Sequence, residues 1–74
     1  MTAVQARLAA ALHRLTDLPL RDCQAFLAED GWDVRRAVAR MHAFRWLRGL
    51  PPPAWERFRQ DLRDCGITDV TLPE

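Results

Sequence analysis

Apolar residues in this sequence recur at steps of three and four in four separate runs, and each run is closed by Gly, Pro or a turn-forming Asp. That spacing places them on one face of an α-helix, because 3.6 residues complete a turn. Val4, Leu8, Leu12 and Leu15, with alanines between them, define helix 1 over about residues 3–14. Thr16-Asp17-Leu18-Pro19 supplies a capping candidate and a Pro suited to a first turn. Leu20, Cys23, Phe26 and Leu27 then define helix 2 over about 19–29. Asp30-Gly31 breaks it, and Trp32 fills the connection and is expected to lie over the core. Asp33 is placed to cap helix 3, about 33–47, whose face is Val34, Ala37, Val38, Met41 and Phe44. Gly49 ends that helix, and Pro51-Pro52-Pro53 cannot continue it, since Pro lacks the amide proton and clashes with the preceding turn. Trp55, Phe58, Leu62 and Cys65 define a fourth helix stopped by Gly66. The tail from Ile67 to Glu74 reads as an irregular arm.

The reading is all-α: a compact three-helix bundle over 1–48, a Pro-linked extension helix over 49–66 and a tail over 67–74. At 74 residues the chain holds one small domain. A domain of that size buries only about 60% of the surface its unfolded chain exposes, which leaves little room for a large enzyme pocket. The composition, 49% apolar with charges of both signs, argues against disorder. No run approaches the roughly 18 to 20 apolar residues that cross a bilayer, and the first residues lack the form of a signal peptide. A soluble protein of the cytoplasm or nucleus is expected.

All eleven basic residues are Arg, and their distribution is uneven. Residues 1–34 carry a net −2, residues 35–63 a net +6 and residues 64–74 a net −3. Arg36, Arg40, Arg45, Arg48, Arg59 and Arg63 interleave with Trp46 and Trp55, a pattern compatible with stacking and phosphate contact on a nucleic acid. The structural alternative pairs these Arg with Asp30, Asp33, Asp61 and Asp64, and packs Trp46 with Trp55 between helices 3 and 4. It is the reading adopted, because the Trp55-Phe58-Leu62 face needs an apolar counterpart.

Catalytic chemistry finds no support. Ser is absent, and the three Gly fall at helix ends and form no phosphate loop. His13 and His42 stand on separate helices with no Cys or Glu at i+3 or i+4 to make a metal pair, so neither a metal nor a cofactor is expected. Cys23 and Cys65 lie on apolar helical positions, where a thiol is hard to ionise; reduced thiols are expected, with a disulfide between helices the alternative.

The segment Asp22-Cys23-Gln24-Ala25-Phe26-Leu27-Ala28-Glu29-Asp30-Gly31-Trp32-Asp33-Val34-Arg35-Arg36-Ala37-Val38, with its C-x-x-x-L, G-W-x-V and R-A elements, resembles the middle of a ubiquitin-associated (UBA) or UBA-like domain. It is most similar to the UBA module of Ack-type tyrosine kinases, in which helix 3 runs on into a linked second half. The stretch from Phe44 to Leu50 and then Trp55 to Cys65 resembles the start of that extension. Thr16 to Cys23 also aligns without gaps onto the N-terminal UBA-like domain of elongation factor Ts, and the nuclear mRNA export factor offers a looser likeness.

The resemblance implies a non-catalytic interaction module that binds ubiquitin, or a ubiquitin-like or peptide partner. The contact would be made by the loop before helix 2 and the end of helix 3. Ubiquitin-binding members usually carry Met-Gly-Phe/Tyr in that loop; the aligned positions here are Thr16, Asp17 and Leu18. The apolar pair late in helix 3 falls on Met41 and His42. The expected contact residues are therefore Leu18, Pro19, Leu20, Arg40, Met41 and His42, with Arg40 tuning orientation. An Arg-rich nucleic-acid or ribosome-associated module, and a regulatory or oligomerisation domain for a dedicated protein partner, are the alternatives. The chain itself is expected to be a monomer or a weak oligomer.

Overall fold

The computed structural model describes residues 1–68 and 72. It is an all-α bundle of four helices: α1 (Ala3–Thr16), α2 (Leu20–Glu29), α3 (Val34–Ala43) and α4 (Pro52–Asp64). Its radius of gyration is 11.0 Å, which matches the roughly 11 Å expected of a folded chain this long.

Local chemistry sets most of the helix ends. α1 opens on a capping box, in which Thr2 Oγ1 accepts from the Gln5 amide and Gln5 Oε1 accepts from the Thr2 amide. It closes at Thr16, whose hydroxyl donates to the Leu12 carbonyl and accepts from the Leu18 amide. Thr16 therefore ends α1 and does not cap α2, which starts after Pro19 without a side-chain cap. Asp33 caps α3 as its position predicts, accepting from the Arg35 and Arg36 amides.

Helices α2, α3 and α4 all end in the same Schellman motif. The residue two beyond the cap donates back across the last turn: Trp32 to Leu27, Trp46 to Met41 and Ile67 to Leu62. The left-handed residue that makes this bend is Gly31, Arg45 and Gly66 in turn. Two of these are glycines, as the motif prefers. The third, Arg45 at φ 71°, is why α3 stops at Ala43 instead of running to about 47. A non-Gly residue in this conformation costs on the order of 1 kcal/mol. Arg45→Gly is therefore expected to raise stability by up to about 1 kcal/mol in chemical denaturation.

α1 lies at the centre, packed against both α2 and α4, while α3 packs on α2. One continuous core joins Leu8, Leu12 and Leu15 of α1 to Leu27 of α2, Val38 and Met41 of α3, and Trp55, Phe58 and Leu62 of α4. Ala9, Ala11 and Ala37 are buried too, and their small side chains permit close helix approach. Trp32 packs partly buried against this core.

The expected Trp46–Trp55 packing between helices 3 and 4 is not formed. α4 docks on α1, Trp55 is buried edge-on to Phe58 at 6.4 Å, and the buried residue after α3 is Leu47. The bend at Arg45 explains the exchange, since it turns the chain so that Leu47, and not Trp46, enters the core. Ile67 and Thr68 lie outside any helix, and Leu72 is buried against the core. The rest of the irregular arm read over 67–74, residues 69–71, 73 and 74, lies outside the described residues.

Candidate functional site

The Schellman turn that ends α3 also builds the most unusual surface of the molecule. Phe44 is the cap residue of α3 and remains 66% exposed, so it does not belong to the buried face on which its spacing placed it. Trp46, folded back by the turn, is 49% exposed. Its ring meets Phe26 of α2 edge-on, with centroids 4.9 Å apart, and lies 6.1 Å from Phe44 at a tilt of 41°. Phe26, Trp46 and Phe44 thus form a row of three rings that starts on α2 and ends at the tip of α3. Edge-to-face contact at 4.9 Å is a favoured arrangement, so Trp46 is held against Phe26.

Arg40 secures the α2 side of the row. Its guanidinium donates to Glu29 at 2.9 Å, to Asp30 at 3.0 and 3.2 Å, and to the Phe26 carbonyl at 3.3 Å, and it sits 4.9 Å from the Phe26 ring centroid. Glu29 above all, and Asp30 after it, raise the Arg40 pKa further. Arg40 is therefore engaged in tying α3 to α2. Arg48 closes the other side, donating to the carbonyls of His42 and Ala43 at the open end of α3. On the α2 surface Asp22, Ala25, Phe26 and Glu29 line a shallow groove of about 140 Å³.

The residues proposed from the UBA resemblance occupy varied places. Leu18 packs partly buried against the core, and its carbonyl is engaged by His13 Nδ1. Pro19 is exposed at the start of α2, and Leu20 is 44% exposed beside it. His42 is half-buried. Met41 is fully buried, so its apolar side chain feeds the core and not a contact surface. Phe26, Phe44 and Trp46 were not among the expected contact residues. A signal for the last two was present, because positions two apart on a helix point to nearly opposite sides and Phe44 and Trp46 cannot both face one core.

The Arg–Asp pairs form only in part as expected. Asp30 pairs with Arg40 as expected, but Asp33 pairs with Arg35, Asp61 is taken by Arg14 of α1 at 3.1 Å and Asp64 accepts from Gln60.

Among the described residues no group of His, Cys, Asp and Glu is arranged to hold a metal ion, and no helix is long and apolar enough to cross a membrane. Both cysteines are free. Burial pushes the Cys23 thiol up, aided by the Asp22 charge and opposed by a hydrogen bond with Thr16; burial likewise raises Cys65. A group held protonated by the fold stabilises it fully at neutral pH and stops doing so once the pH rises through its folded-state pKa. Stability is thus expected to decline on the alkaline side of the range in which a free thiol ionises, and Cys23→Ala should flatten that decline in denaturation curves. No family model, curated protein or solved structure matches the chain.

Proposed function

We propose that this chain is a non-catalytic protein-interaction module that receives an apolar surface of another protein on the Phe26–Trp46–Phe44 row. The observation that carries this reading is the exposure of Phe44 and of Trp46, the latter held edge-on against Phe26. Aromatic and Arg side chains are the residues that most often supply binding energy at protein interfaces. Ubiquitin is the first partner to test, on the strength of the UBA resemblance, with Leu20 extending the contact from the start of α2. Rings that expose about half of their 150–250 Å² offer a small patch, well below the roughly 800 Å² per partner of a standard interface, so binding is weak.

The test is an amide-shift NMR titration of labelled protein, kept dilute, with unlabelled ubiquitin at two salt concentrations. Shifts that saturate at Leu20, Phe26, Phe44 and the Trp46 indole at both salts support the reading. An unchanged spectrum removes ubiquitin as the partner.

A second reading, single-stranded nucleic acid, is favoured by the same exposure of Trp46 next to Arg45, which has no ion-pair partner among the described residues. Stacking of bases on these rings would be marked by binding of an oligonucleotide that falls steeply as salt is added.

A further inference from the structure

We infer that the Phe26–Trp46–Phe44 face also closes on a second copy of this chain, in a two-fold dimer that sets the two rows of rings together and pairs Arg45 of each protomer with Asp22 of the other. The inference shares its surface with the proposed function and does not depend on the partner named there.

The argument starts from how charge is laid out around the rings. At the α2 end, Phe26 is flanked by Asp22 and Glu29, which line the groove beside it. At the α3 end, Phe44 and Trp46 bracket Arg45. The α2 end thus carries Asp22 and Glu29, the latter already paired with Arg40, the middle is apolar, and the α3 end carries Arg45. In a two-fold contact a residue away from the axis meets the residue on the opposite side of it, while residues at the axis meet their own copies. Turning this face by half a revolution about its apolar centre therefore brings the basic end over the acidic end, twice. A face of a single sign would repel its own copy; this one is complementary to itself.

The distribution of internal ion pairs sharpens the point. Glu29 and Asp30 are already engaged by Arg40. Asp22 and Arg45 have no ion-pair partner among the described residues, and both lie exposed. They are two of the charges without such a partner, Asp22 beside Phe26 and Arg45 next to Phe44 and Trp46 in sequence. Arg45 also occupies the left-handed position that Gly fills in the two equivalent turns.

The small size of the apolar centre limits the contact to a weak dimer in exchange with the monomer. Because the dimer covers Phe44 and Trp46, it competes with any partner that binds there.

The experiment is sedimentation equilibrium on the full chain, from dilute micromolar to near-millimolar concentration at low salt, with far-ultraviolet circular dichroism confirming that each variant is folded. The wild-type mass is expected to climb from one chain towards two. Phe44→Ser should hold it at one chain. Asp22→Arg and Arg45→Asp should each weaken association, and the double variant, which restores opposite charges, should recover it. A mass that stays at one chain throughout overturns the inference. So does a dimer indifferent to Phe44→Ser, or a double variant no better than the singles. A chain that dimerises in this way but shows no shifts with ubiquitin keeps the dimer and loses the ubiquitin reading.

Discussion

Phe58→Ala is expected to leave the chain without a cooperative thermal transition. Phe58 is the largest of the fully buried side chains, carried on α4, edge-on to Trp55 and part of the core shared with α1. Cutting a buried Phe to Ala costs about 3–5 kcal/mol, from the lost transfer energy and the cavity left behind. A chain of 74 residues has a total stability on the order of 4–11 kcal/mol, and small domains fall towards the low end. The substitution therefore removes much or all of the folding free energy. Phe58→Leu keeps most of the volume and should retain a clear transition at lower temperature. Circular dichroism during heating reads both variants, and a Phe58→Ala protein that melts within a few degrees of the wild type would show that α4 is not integral to the core.

The second large effect lies in binding. Trp46→Ala should weaken the proposed partner contact by about 30-fold or more, the loss typical of truncating a Trp at the centre of an interface. The fold should survive, because Trp46 is half-exposed and stands outside the buried cluster. Trp46→Phe keeps an apolar ring there and should recover part of the affinity. Leu20→Ala, at the exposed start of α2, should have the smaller effect. The ubiquitin titration repeated on these variants gives the order directly, and equal losses at Trp46 and Leu20 would move the centre of the contact towards the start of α2.

The four helices were legible because their spacing is regular and because their ends carry ordinary signals: Asp33 as a cap, Gly31 and Gly66 as stops, three prolines at the start of α4. The end of α3 was not legible. Arg45 performs there the task that glycine performs elsewhere, and nothing in Phe44-Arg45-Trp46-Leu47 interrupts a helical pattern. That one substitution of type hid the turn. With the turn hidden, Trp46 was assigned to the core, Leu47 was overlooked as a core residue, and the exposed row of rings went unseen. The burial of Met41 was visible in the spacing of α3, but alignment to the UBA pattern drew it to the surface instead. The capping box at Thr2 and Gln5 is readable as T-x-x-Q directly ahead of the apolar run of α1.

The central position of α1 bears on how the protein is made. α1 rests on α2 on one side and on α4 on the other, and the Arg14–Asp61 pair joins positions nearly fifty residues apart. A ribosome delivers α1, α2 and α3 first, so the nascent chain can assemble only part of its core while the flank of α1 meant for Trp55, Phe58 and Leu62 waits uncovered. The final closure is a long-range event, and long-range contacts are slow to form compared with the local ones that shape each helix. Pro51, the cap of α4, and Pro52 and Pro53 in its first turn act during that interval by keeping the start of the late segment stiff and unable to extend α3, so that when it emerges its apolar side has one open place to go.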